Sequence, residues 1–331
     1  MELLKKLTEV TAVSGSENNI FDIIKSEAKP FADEIYTDAM NNIIVRKKGY
    51  GKKIMLSAHT DEIGLMANYI DDNGFVRFAP VGGVDVYTSL YQRVIFENGT
   101  KGTVCFENKT DIKKDLKVQN MYIDIGTQSK EEALSMISPG DTASFVGEFC
   151  DRGNTIVSKA LDNRAGVYIL IQVLKQLERS PFDLYFVFSS QEEIGLRGAR
   201  SAAYNIEPDV AISVDITDTG DTPGCETLDV KLGGGAAIKI MDKSVITDKG
   251  LRDSLVRCAK EKDIPYQFEI LTFGGTDAGA MQTVKEGALT GAISVPVRYV
   301  HTPCETAFKS DINACISLIY NFCRKDFIFE N

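Results

Sequence analysis

The chain contains only two histidines, and both stand at the ends of apolar runs. His59 lies in SAHTDEIG, two residues before Asp61, and His301 lies in VPVRYVHTPCE. Glu192 and Glu193 follow the run DLYFVFSSQ, Asp215 closes DVAISVD, and Asp162 sits in KALDNRAG, where a strand gives way to a helix. Taken singly, each has an ordinary structural explanation: a glutamate pair is a solvated loop, and a strand-terminal aspartate is a helix cap. Taken together, they bring both imidazoles and a set of carboxylates to strand-edge loops of several separate segments. Two imidazoles with three carboxylates form an N/O donor set suited to Zn²⁺, Co²⁺ or Mn²⁺ in a dinuclear centre, unlike the thiolate cages of structural zinc. Three carboxylates and one hydroxide balance the charge of two such ions. In that reading Asp61 accepts the other ring N–H of His59, which fixes its tautomer and raises its basicity.

In open α/β sheets, ligands bind outside the carboxyl ends of the strands, so the elements around these residues decide whether they can meet. Leu3, Leu4, Leu7 and Val10 predict a first helix, and Ile20, Ile23, Ile24 and Phe31, after the capping candidate Ser16, predict a second. NNIIVRKKGYGKKIMLSAHT predicts two strands around a glycine-containing turn. Further on, DLYFVFSS, DVAISVD and ALTGAISVPV read as strands, while RAGVYILIQVLKQL, GLRDSLVRCAKEKD and DINACISLIYNFCRK read as helices. This alternation predicts an α/β fold, a layered sheet with helices on both faces. Between them the texture changes to short strands with turn residues, as in FVRFAPVG, YQRVIFENGTKGTVCFE and DTASFVGEF, and Asn98-Gly99 marks a hairpin. Residues 1–65 and 158–331 are therefore expected to form one α/β domain, interrupted by a mostly β domain over 66–157.

At 331 residues, 44% hydrophobic and 25% charged, the composition is that of a globular protein with a large interior. A net charge of −10 with scattered basic residues disfavours nucleic acid and anionic membrane surfaces as partners. The first residues lack the apolar core of a signal peptide, no segment has the run of apolar residues a membrane span needs, and the expected location is the cytoplasm. The seven cysteines include no Cys-x-x-Cys pair and are expected to be mostly small buried hydrophobes. LGGGA is followed by neither a helix signal nor Lys-Ser/Thr, which argues against a phosphate cradle and for a loop near a bound peptide.

With these residues in hand, the sequence resembles the glutamyl aminopeptidase and tetrahedral (TET) aminopeptidase family of dinuclear metallopeptidases, some of which carry a cellulase label. SAHTDEIG, KALDNRAG, SSQEEIGLRGA, SVDITDTGDTPG, GGTDAGAMQ and VPVRYVHTPCE occur in the family's order, over nearly the whole chain. The resemblance implies a zinc-peptidase-like catalytic domain and an inserted dimerisation domain. It implies two divalent ions per subunit, Zn²⁺ or Co²⁺ with Mn²⁺ as a further candidate, with Asp162 bridging them, His59 and Asp215 on one, and Glu193 and His301 on the other. Glu192 would be the general base, and Asp61 its catalytic neighbour beside His59. The implied reaction removes N-terminal residues from short peptides with a free N-terminus, by attack of a metal-bridging hydroxide. The implied assembly is a homo-oligomer, a dodecamer built from dimers. The chain departs from the family pattern at Asn41 and Ser158, where glycines are expected, and in KLGGGAAI, where the usual loop contains proline.

Three rivals remain at this level. A related dinuclear hydrolase, an N-acyl amino acid deacylase or a carboxypeptidase, uses similar ligands on a similar sheet. A glycoside hydrolase would use a carboxylate pair, but it leaves both histidines without a role, and the chain has no tryptophan for stacking on sugars. A non-catalytic assembly protein built around the β-rich segment would hold no metal.

Overall fold

The computed structural model of the chain describes residues 1–225 and 228–325, so the last six residues of the expected 158–331 segment lie outside it. Its strands, in chain order, are β1 (Glu34–Thr37), β2 (Ile43–Lys47), β3 (Lys53–His59), β4 (Gly64–Ile70), β5 (Val76–Val81), β6 (Arg93–Phe96), β7 (Lys101–Phe106), β8 (Met121–Asp124) and β9 (Thr142–Phe145). They continue with β10 (Cys150–Asp151), β11 (Thr155–Ser158), β12 (Asp183–Ser189), β13 (Val210–Asp218), β14 (Ala236–Met241), β15 (Tyr266–Ile270), β16 (Leu289–Arg298) and β17 (Glu305–Phe308). Eleven of them form one sheet in the order β1-β2-β12-β3-β13-β16-β17-β11-β10, with β14 joined to β16 and β15 to β14. The other six close into a barrel, β4-β5-β8-β7-β6-β9.

The four central strands β12, β3, β13 and β16 run parallel. Parallel strands covered on both faces read as continuous apolar runs, and β12 shows why. Leu184, Phe186 and Phe188 point into the main core, while the alternating Tyr185 and Val187 point into a second core on the opposite face. The helix Leu161–Gln176 packs on β3 and β13 and against the helices Glu2–Glu9 and Lys309–Phe322. Because it is covered on nearly all sides, it carries apolar residues all round rather than in a stripe. Gly166 lets it lie this close: a Cβ there would come within 2.4 Å of the Val214 carbonyl oxygen on β13. The helices Arg197–Ile206 and Asp277–Gln282 cover the other face, with Ala199, Ala202, Ala203 and Met281 buried.

The α/β sheet with helices on both faces is as expected, and β2 and β3 are the two strands expected around a glycine-containing turn. They are not neighbours in the sheet: β12 lies between them, antiparallel to β2 and parallel to β3. The Asn98-Gly99 hairpin is present: β6 pairs with β7 and Phe96 N–H bonds the Thr100 carbonyl at 2.8 Å. The barrel strands span Gly64 to Phe145, while β10 and β11, which begin inside the expected 66–157 segment, lie in the large sheet.

A buried ion cluster joins the two sheets. Glu62, between β3 and β4, accepts bonds from Lys159 Nζ at 2.6 and 2.7 Å, from Ser144 Oγ on β9 at 3.1 Å and from the Ala12 amide at 3.0 Å. Arg164 Nη2 approaches the same carboxylate at 3.4 Å. A buried carboxylate with this many donors is tolerated because almost every lone pair is used.

Candidate metal centre

The carboxyl ends of the central strands converge on one cavity of about 520 Å³, lined by His59, Asp162, Glu192, Glu193, Asp215 and His301 among others. His59 ends β3 and is paired in register with Ser189, the last residue of β12, so the loop bearing Glu192 and Glu193 starts beside it. Asp215 lies within β13, and His301 follows β16 by three residues. Asp162 sits in the first turn of the helix Leu161–Gln176, where it and Asn163 have non-helical backbones and Ala160 has φ of 52°. That irregular entry turns the Asp162 carboxylate towards the cavity instead of along the helix. Asn163 Oδ1 then accepts the Gly166 amide at 2.9 Å and restarts the helix.

His59 Nε2 lies 3.1 Å from Asp162 Oδ1 and 3.7 Å from Asp215 Oδ1. His301 Nε2 lies 3.3 Å from Asp162 Oδ2 and 3.3 Å from Glu193 Oε2. The two carboxylate oxygens of Asp162 therefore face two different histidines. Within each group, His59–Asp162–Asp215 and Asp162–Glu193–His301, one donor atom per residue lies within 4.8 Å of the others. The donors are imidazole nitrogen and carboxylate oxygen throughout, the set that fits Zn²⁺, Co²⁺ or Mn²⁺.

The acids and imidazoles of the site shift one another strongly. Burial pushes the Asp215 carboxyl up to about 8, with Asp162 repulsion adding to it. Burial pulls the His301 imidazole down, but hydrogen bonds to Asp162 and Glu193 outweigh it and push it up to about 12. Burial opposes ionisation of Asp162 too, yet His301 and His59 hold its carboxyl well below the usual range. Crowded buried carboxylates of this kind favour a nearby positive charge, which a divalent ion would supply.

Glu192 belongs to neither group of donors. It is 9% exposed, its carboxylate makes no hydrogen bond among the described residues, and burial raises its pKa well above the usual range. Asp61 lies beside the His59 ring, and its carboxylate has further partners. His59 Nδ1 meets the main-chain oxygen of Asp61 at 3.1 Å and its carboxylate only at 3.5 Å. The Asp61 carboxylate also accepts the Glu192 amide at 3.0 Å, the Glu193 amide at 3.1 Å and Ser14 Oγ at 2.6 Å. Its geometry orients the glutamate turn through three donors, while the Asp61 carbonyl and carboxylate both face His59 Nδ1.

Two contributors were not singled out in the sequence. Glu305 accepts the Asp162 amide on Oε2 at 3.0 Å and the His301 amide on Oε1 at 2.9 Å, tying both backbones together. Its position four residues after His301 was the available signal. Gly83, after β5, meets His301 Nδ1 through its carbonyl at 3.1 Å, across 218 residues of sequence. The basic residues nearest these motifs are committed elsewhere: Lys159 to Glu62, and Arg298 to Asp221 at 2.7 and 2.8 Å. The glycine run is a cradle for an internal acid, since the Gly233 and Gly235 amides bond the Asp311 carboxylate at 2.7 and 3.0 Å.

Comparison with known proteins follows the same lines. A family model described as M42 glutamyl aminopeptidase matches residues 41–318. A provisionally named aminopeptidase of Acetivibrio thermocellus is 51% identical over 318 residues, covering 96% of each chain. An aminopeptidase structure from the archaeon Desulfurococcus kamchatkensis superposes with a TM-score of 0.95 at 38% identity, over 99% of this chain and 96% of that one. The TET1 peptidase of Pyrococcus horikoshii, described as assembling into a tetrahedron or a large octahedral shell, superposes with a TM-score of 0.90 at 34% identity, over 98% and 99%.

Proposed function

The chain belongs to the M42 glutamyl aminopeptidase family and is a peptide hydrolase of the aminopeptidase class, and from that premise we propose which of its residues carry the reaction. His59, Asp162 and Asp215 would hold one divalent ion, and Asp162, Glu193 and His301 the second. The observation that carries this reading is the division of the two Asp162 oxygens between the two histidines. Bound there, a pair of Zn²⁺, Co²⁺ or Mn²⁺ ions would lower the pKa of a water and polarise the scissile carbonyl.

The remaining chemistry belongs to the protein. Glu192, buried and unbonded beside the donors, takes a proton from the attacking water as the new C–O bond forms. It returns that proton to the leaving nitrogen as the C–N bond breaks. Asp61 holds the turn that aims Glu192 into the cavity and Glu193 into the donor group, and Glu305 fixes the backbones of Asp162 and His301. The free α-amine of the substrate sits close to the carboxylates, where as an ammonium it pairs with an acid; as a neutral amine it could ligate a bound ion.

Short peptides with free N-termini are therefore expected to shorten one residue at a time from that end. N-acetylated copies should stay intact, and C-terminal amides should be cut like free acids. Mass spectrometry of a time course shows the order of loss. Release of C-terminal residues, or of acetate, would place the chain with carboxypeptidase or deacylase chemistry instead.

The barrel supports the site as well as any assembly. A Cβ on Gly83 would lie 2.7 Å from His301 Nδ1, and Gly83 is not among the glycines with positive φ, so alanine there acts through the ring contact and not through the backbone. Gly83→Ala is expected to lower activity by roughly 10 to 100-fold, the size of effect seen when a ligand's supporting contact is lost. Unchanged turnover would remove the Gly83 loop from the site. The segment around the barrel is proposed to dimerise, with a dodecamer built from those dimers, supported by the assembly described for the Pyrococcus horikoshii relative. Among the described residues no helix is long and apolar enough to cross a membrane. A cytoplasmic location suits the seven cysteines, all of which are free thiols.

A further inference from the structure

The cavity extends past the metal ligands to a wall formed by Ile216, Leu271 and Phe273, with Asp218 and Lys239 among them. This part of the molecule must meet whatever side chain the substrate's first residue carries. Its charge is readable. Lys239, 1% exposed, is the single Lys or Arg on the cavity wall among the described residues. It is held by Glu269 and lies 3.2 Å from Asp242, both buried, so its ammonium is already spent on two internal carboxylates.

Asp218 is in the opposite condition. It ends β13, three residues after Asp215, is half-buried, and its carboxylate makes no hydrogen bond or ion pair among the described residues. Burial, followed by repulsion from Asp162, holds its carboxyl above the usual range, and the His301 imidazole offsets this only in part. Counting the groups around this end of the cavity, Asp218, Glu269 and Asp242 set three carboxylates against the one ammonium of Lys239. The other nearby cations, Lys159 and Arg298, are paired with Glu62 and Asp221.

A glutamyl side chain entering here would find no free cation and one unpaired carboxylate. An aliphatic stem ending in an ammonium or guanidinium would find apolar walls for its methylenes and an acid for its head. We propose that Asp218 selects substrates whose N-terminal residue is lysine or arginine, over acidic and neutral ones. The proposal rests on the aminopeptidase site described above and adds the class of substrate it takes.

The test compares lysyl- and norleucyl-p-nitroanilide, which share a four-carbon stem and differ in the terminal ammonium, with glutamyl-p-nitroanilide as the third substrate. The wild-type ratio of kcat/KM for lysyl over norleucyl is expected to be about tenfold or more, the factor that about 1.4 kcal/mol gives. Asp218→Asn is expected to bring that ratio close to one, and Asp218→Glu to keep it well above one. Competitive inhibition by free L-lysine and L-norleucine should show the same change, giving a binding readout beside turnover. A wild-type preference for the glutamyl substrate would overturn the proposal. So would an unchanged ratio in Asp218→Asn with all substrates slowed alike, which would make Asp218 an anchor for the α-ammonium. Failure of the aminopeptidase reading looks different: no wild-type release from any of the three substrates.

Discussion

Glu192→Gln is expected to keep its full metal complement and lose turnover by about 10² to 10⁴-fold, the range for removal of a general base. The substitution conserves shape and removes only the ability to take a proton. Its backbone amide still bonds Asp61 Oδ1, and its side chain is not one of the clustered donors, so nothing that holds an ion is disturbed. Glu193→Gln, one residue away, should behave differently, because Glu193 Oε2 lies 3.3 Å from His301 Nε2 inside the second donor group. An amide oxygen there is uncharged and a weaker ligand, so metal should be lost together with activity. Adjacent residues on one turn point in diverging directions, which is why the pair can divide proton transfer from ligation. Equal metal loss in both variants would contradict the division.

Asp162→Ala is expected to abolish activity by emptying both sites at once. It is the one residue common to the two donor groups, and its deletion leaves His59 with Asp215 and His301 with Glu193, two donors each. His301→Ala should spare the His59 group and remove one ion only. The asymmetry between a shared ligand and an unshared one separates a dinuclear centre from two independent sites.

The sequence was most legible where local pattern and position coincide. Both histidines and the acids Asp162, Glu192, Glu193 and Asp215 were found because strand ends can be read from apolar runs, and strand ends are where α/β sheets bind ligands. The Asn98-Gly99 hairpin was legible for a similar reason, since the turn residues dictate the pairing. The insertion of β12 between β2 and β3 was not, because strand order is settled by contacts distant in sequence. For Asp61, a His-x-Asp spacing places a carbonyl and a carboxylate near the ring together, and only the fold shows that the carbonyl lies closer. Gly83 and Lys239 were invisible for another reason. One reaches His301 from the barrel side, and the other lies on β14, a strand the apolar runs did not reveal.

The central claim is that one carboxylate, Asp162, joins two donor groups into a two-ion centre. Metal content per chain tests it most directly, measured by plasma mass spectrometry after saturation with Zn²⁺ and removal of free ion. The account predicts about two ions in the wild-type protein, one in His301→Ala and almost none in Asp162→Ala, with two-step binding in the wild type. A single ion in a fully active wild type, or one tightly held ion left in Asp162→Ala, would contradict it.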